Sequence, residues 1–165
     1  MEYKQATLEE YIAVWEKDIR KRPEKAEEWK QMRDVYIKGF KANQLVTFIA
    51  KDDEDIIAQI SVVVDSSFPE MNNEEVLCDG KTTVNMNAFR CDKEYEGQGH
   101  ISKLVKMGEN WAKEQGYQYA TIGANAKNIR NLSIYFHFGY TEFVLHEHYK
   151  NTIVLYYRKE LSWES

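Results

Sequence analysis

Glu96-Gly97-Gln98-Gly99-His100-Ile101-Ser102-Lys103-Leu104 is the stretch on which the fold turns. It follows a β-rich run, Thr82 to Cys91, and opens a segment whose residues Ile101, Leu104, Val105, Gly108, Trp111 and Ala112 share one face of an α-helix. Glycines at a strand-to-helix junction let the backbone approach a ligand closely. The N–H groups of a first helical turn have no acceptor within the helix. Together with the positive end of the helix dipole they form an anion site suited to a phosphate. The same glycines also serve an ordinary strand–turn–helix corner, so this fragment alone leaves both readings open.

Downstream, Gly116 is placed to stop the helix, Tyr119 to Ala124 reads as a strand, and Asn125 to Asn128 turns into a second helix of about Ile129 to Phe138, stopped at Gly139. Tyr140 to Tyr149 and Thr152 to Lys159 form a hairpin turning at Lys150-Asn151. Upstream, Ser66 to Lys81 is rich in Glu and Asn without clear periodicity, and is expected to be a long surface loop. Leu45 to Ala50 and Ile56 to Val64 are β-rich runs joined by the charged turn Lys51 to Asp55. Glu2 to Gln5 is a short extended candidate, and Thr7-Leu8-Glu9-Glu10 reads as a capping box. Leu8, Tyr11, Ile12, Trp15 and Ile19 continue at helical spacing. Pro23 opens another helix, whose inward stripe is Ala26, Trp29, Arg33, Tyr36, Ile37 and Phe40. These two aromatic-rich helices suit a core or the wall of a substrate pocket. The sum is an α+β (three-layer α/β) fold, with a mixed, mostly antiparallel sheet flanked by helices. Its one strand–helix–strand crossover, Thr82 to Ala124, is expected to be parallel. With no repeat or linker, a single domain over residues 1–165 is expected.

The 165 residues are 43% hydrophobic and 13% aromatic, enough for a packed core. A net charge of −5 argues against a nucleic-acid footprint and slightly favours cationic substrates. No apolar run approaches the ~20 residues that span a bilayer. Met1-Glu2-Tyr3-Lys4 has no apolar signal core, so a cytoplasmic protein with no membrane partner is expected. Cys78 and Cys91 offer neither a disulfide framework nor a metal-ligand pattern. His146 and His148 alternate on one strand face without a third ligand, so no metal site is assigned. His137 reads as structural. The glycine spacing lacks the third glycine of a dinucleotide fingerprint, Ser102 standing in its place, and no Gly-Lys-Ser/Thr is present.

The run Phe89 to Ile101 resembles the acyl-CoA-binding segment of the GNAT N-acetyltransferase superfamily, with Gly99 matching the first glycine of its pattern. Glu96 stands where a basic or amide residue is usual, and Ile101 where a small one is usual. Asn128-Ile129-Arg130-Asn131-Leu132-Ser133-Ile134-Tyr135-Phe136-His137-Phe138-Gly139-Tyr140 resembles the Asn…Tyr-x-x-x-Gly-Phe/Tyr helix of the same superfamily.

This resemblance implies a GNAT-like acyl-CoA N-acyltransferase fold. It implies a CoA-dependent N-acetyltransferase that moves an acetyl group from acetyl-CoA to a primary amine of a small molecule or protein, by direct attack on the thioester. A homodimer is a further family expectation. Glu96, Gly97, Gln98, Gly99, His100, Ile101 and Ser102 would lie at the pyrophosphate, and the backbones of Phe89 and Cys91 would pair with the pantetheine arm. Asn128 would sit beside the cofactor, although as a bare residue it reads as a helix cap. Tyr135 would give a proton to the departing thiolate. A backbone N–H of the same strand would hold the developing oxyanion. For the base that deprotonates the ammonium, Glu74, Glu75 and Asp79 are candidates, as are Asn85 and Asn87 holding a water. Lys103, Lys106, Lys127 and Arg130 are either contacts for the ribose phosphate or a solvated helix face. The alternative reading is a non-catalytic CoA-binding sensor or interaction module on the same fold.

Overall fold

The computed structural model describes residues 1–161. Its strands are β1 (Glu2–Gln5), β2 (Leu45–Asp52), β3 (Asp55–Val63), β4 (Thr83–Cys91), β5 (Tyr119–Asn125), β6 (Glu142–Tyr149) and β7 (Thr152–Glu160). Its α-helices are α1 (Leu8–Arg20), α2 (Ala26–Lys41), α3 (His100–Glu114) and α4 (Ile129–His137). The strands form one sheet in the order β1-β2-β3-β4-β5-β7-β6. The sheet is mixed: β4 and β5 run parallel across the α3 crossover, while β1–β2, β5–β7 and β6–β7 are antiparallel. This is the GNAT-like architecture expected above. No helix among the described residues is long and apolar enough to cross a membrane.

The chain gathers into two compact units, with β3, β4 and α3 passing from one to the other. The first comprises Met1–Ser61 and Ala88–Lys106. Here α1 begins with the capping box: the Glu10 amide donates to Thr7 Oγ1 at 3.2 Å and the Thr7 amide to Glu10 Oε1 at 3.0 Å. Pro23 forms a short 3-10 turn ahead of α2. The inward stripes of both helices make an aromatic core, with Tyr11 stacked on Phe40 and Trp15 packed against Tyr36 and Trp29. Tyr11 and Trp15 are fully buried, each such burial contributing about 2–3 kcal/mol. The β2–β3 turn is tighter than expected. Pairing extends through the charged residues, leaving only Asp53 and Glu54 outside the strands, and Asp53 adopts φ 53°.

The second unit comprises Val62–Asn87 and the chain from Met107 onward. Its β-strands pair from Thr83↔Tyr119 to Met86↔Ile122 on one side of β5, and from Tyr119↔Glu160 to Asn125↔Val154 on the other. The Ser66–Lys81 segment is the expected irregular surface loop, with most of its residues exposed, but it is not free of the core. It buries Phe68, Met71, Leu77 and Cys78, so it is anchored by apolar side chains that follow no period. Tyr140 is fully buried and donates to Glu109 Oε2 at 2.7 Å, and Lys159 pairs with Glu109 at 3.0 Å.

Candidate active site

The turn that opens α3 lies in the first unit. Gly97 and Gly99 take φ of 77° and 86°, angles that side-chain-bearing residues rarely adopt. A Cβ built on either glycine would meet nothing within 4 Å, so backbone conformation demands them and the space beside them is open. The first amide to close a bond into α3 is that of Lys103, donating to Gly99 O at 3.1 Å. The amides of His100, Ile101 and Ser102 precede that bond and have no acceptor within the helix. Ile101 keeps its place in α3 with its side chain half-buried, and does not join the positive-φ residues. An open backbone concavity at the positive end of a helix fits a diphosphate.

Sequence reasoning missed how the turn is held. His100 is buried, with Nδ1 2.7 Å from the Tyr3 hydroxyl and Nε2 3.1 Å from Gln98 Oε1. Gln98 Nε2 also donates to Glu94 O at 3.3 Å, so this one side chain bridges both sides of the glycines. Gln98 Oε1 can only accept, so Nε2 of the ring donates to it. Tyr95 closes the other side of the ring and donates to Asp52 at 2.7 Å. The signal was absent from the sequence because Tyr3 and His100 lie 97 positions apart.

Glu96 is extended and exposed, four residues ahead of α3, so it does not cap the helix. It lines a chamber of about 300 Å³ walled by α1, β3 and the end of β4, where Gln59, Arg90 and Cys91 also lie. Burial, then Glu96, Asp92 and Glu94, raises the Cys91 thiol above its usual range, and burial pushes Cys78 up to about 12. Protonated thiols are poor nucleophiles, so neither cysteine is suited to carry an acyl group.

Within β4, Ala88 takes φ 56°, the left-handed region, immediately after Asn87. Asn85 is buried and donates from Nδ2 to Thr121 Oγ1 at 3.0 Å. The side-chain oxygens of Asn85 and Asn87 are buried without a hydrogen-bond partner among the described residues.

In the second unit, Tyr135 is buried in α4 at 8% exposure, and burial pushes its phenol up to about 12. It is therefore a neutral proton donor throughout the physiological range. Asn128 is the N-cap of α4, accepting from the Asn131 amide at 3.0 Å. Asp79 is removed from the list of candidate bases. Burial raises its pKa, but the Thr82 hydroxyl and the amides of Lys81, Thr82 and Thr83 outweigh that and hold it at about 2. Its carboxylate organises the entry into β4. Glu74 and Glu75 are exposed loop residues.

A mixed seven-stranded sheet with a parallel β4–α3–β5 crossover and a glycine turn at the start of α3 defines an acyl-CoA N-acyltransferase fold. The chain belongs to the acetyltransferase (GNAT) family, whose model matches residues 5–140. Solved structures with this fold include an aminoglycoside 6′-N-acetyltransferase complexed with coenzyme A, 10% identical with a TM-score of 0.70, each chain covered to 98%. The ribosomal-protein-alanine N-acetyltransferase of Brucella melitensis is 12% identical with a TM-score of 0.67, covering 98% of this chain and 100% of that one. A GNAT family acetyltransferase from Elizabethkingia anophelis with acetyl-CoA bound is 15% identical with a TM-score of 0.54, over 73% of this chain and 78% of the other. At these identities the likeness is one of fold. No curated protein matches the sequence.

Proposed function

We propose that this protein is a CoA-dependent N-acetyltransferase that transfers the acetyl group of acetyl-CoA to a primary amine by direct attack on the thioester. The observation that carries the reading is the open two-glycine turn leading into α3, in a chain of the GNAT family. The amides following Gln98 would hold the diphosphate, and Glu96, Gly97 and Gln98 shape that turn. The main chains of Phe89 and Cys91 would pair with the pantetheine arm, and Asn128 would flank it. Bound acetyl-CoA supplies an activated thioester.

A backbone N–H beside Ala88, the left-handed residue within β4, would hold the developing oxyanion. The unpartnered oxygens of Asn85 and Asn87 suit a water that takes the ammonium proton. As the new C–N bond forms and the C–S bond breaks, Tyr135 gives its phenolic proton to the departing sulfur and recovers one from solvent. The net change converts ammonium and thioester into amide, thiol and one released proton. The raised thiol of Cys91 favours direct transfer over an acyl-cysteine route.

Titration calorimetry with acetyl-CoA, combined with thiol release across a panel of amines, tests the reading. Binding with release from at least one amine is expected. Binding without release from any amine would replace it with the sensor reading. A melting temperature unmoved by CoA would remove both, since a ligand that binds only the native state raises stability.

A further inference from the structure

Arg22 and Arg90 both reach the carboxylate of Asp18, at 3.8 Å and 2.5 Å. Both also lie over the indole of Trp29, their guanidinium carbons 4.3 Å and 4.7 Å from its centre, and Arg90 lies 4.2 Å from that of Trp15. A guanidinium offers five N–H donors in a planar fork. Arg90 Nη1 donates to Asp18 Oδ2 and Arg22 Nη1 to Asp18 O, and these are the hydrogen bonds the pair makes among the described residues. On the same chamber wall, Lys17 and Lys21 are matched by Asp55 and Asp92. Lys93 and Glu96, of opposite sign, complete the charged lining, so its one net positive charge falls to the two arginines sharing one acid. Indole faces hold the guanidiniums in place without neutralising them.

Gln59 lines the same chamber at 1% exposure, and neither atom of its side-chain amide has a partner among the described residues. Proteins rarely leave a buried amide unanswered, and such a group in a cavity wall points to a missing ligand. A chamber of about 300 Å³ is at the small end of ligand sites. It begins at Glu96, the residue before the cofactor turn, and lies wholly within the same unit.

We infer that this chamber holds the acceptor, and that the acceptor is a primary amine carrying a carboxylate, of amino-acid type. Its carboxylate lies against the forks of Arg22 and Arg90, and the Gln59 amide hydrogen-bonds the same end of the molecule. The inference rests on the acetyltransferase reading and narrows its substrate class. The locally positive wall reverses the preference for cationic substrates suggested by the net charge of −5.

Calorimetry on the CoA-saturated protein tests it, with N-acetyl amino acids as product probes and the matching uncharged N-acetyl amino-acid amides as controls. At least one acid is expected to bind about tenfold or more tightly than its amide. Arg22→Gln should erase that preference without changing CoA affinity. Gln59→Leu should weaken acid binding while keeping or raising the melting temperature, because it removes an orphaned amide; a purely structural glutamine would lower both. Equal affinity for acid and amide, or an Arg22→Gln protein that keeps the preference, overturns the inference. If CoA binds and no acid does, the inference falls and the acetyltransferase reading stands. If the acids bind and CoA does not, the acceptor assignment falls with that reading.

Discussion

Two buried charge clusters in this chain use similar residues to opposite ends. Around Glu109, one acid meets one lysine and one phenol, and each finds a partner. Around Asp18, two arginines share a single acid, and the side-chain amide of Gln59 in the same chamber wall has no hydrogen bond among the described residues. A saturated cluster has nothing to offer a ligand, and its worth is structural. The unsaturated one carries donors and charge that folding alone leaves unused. Where charges lie buried says less than whether their hydrogen-bonding capacity is filled.

The largest effect is expected where the closed cluster is cut. Glu109→Leu strands the Lys159 ammonium, and urea melts should show a loss of about 3–5 kcal/mol. Arg22→Gln in the open cluster should lose less than about 1 kcal/mol, its ion pair being long and partly solvated. Equal losses would break the distinction.

Tyr135→Phe probes an exception, since this phenol is buried in the same unit as Glu109 yet is assigned to turnover. A fall in kcat of about a hundredfold is expected, with acetyl-CoA affinity unchanged and stability altered by about 1 kcal/mol or less. Unchanged kcat removes it from the mechanism. Because its phenol is pushed up to about 12, the pH profile of kcat should show no tyrosine limb before the fold itself fails in alkali.

Asp79 sharpens the structural side. Its pKa is held at about 2 against an ordinary 3.8, so the stability it provides is complete above pH 3.8 and drains away as pH falls toward 2. That amounts to about 2 kcal/mol. Urea midpoints measured down this range should fall more steeply for the native protein than for Asp79→Asn.

The smallest effect on function belongs to the glycine turn. Gly99→Ala imposes about 1 kcal/mol of left-handed strain but no clash. The free turn should relax away from its amide-presenting form, and calorimetry should find acetyl-CoA binding weaker by about tenfold. Unaltered affinity would show that this turn does not hold the cofactor.

What could be read from residue order alone was whatever depends on near neighbours. The capping box at Thr7 and Glu10, the glycine turn, the α3 stripe and the final hairpin are all local patterns, and each stands where its spacing placed it. The Asp18–Arg90 bond joins residues 72 positions apart, and no periodicity announces it. Trp15 and Trp29 showed equally as core or pocket wall, and only the guanidinium of Arg90 lying over both rings tells how they are used. The Ser66–Lys81 segment was legible as a surface loop, but its anchors Phe68, Met71, Leu77 and Cys78 were not, because they follow no repeat. Asp79 looked like any loop acid until its four donors were in place.

Ala88 has a mechanical consequence. A glycine at φ 56° could wander into many other conformations, whereas an alanine there occupies one narrow left-handed well. Ala88 therefore works as a latch rather than a hinge: its left-handed setting lasts only while the packed strand around it holds it there.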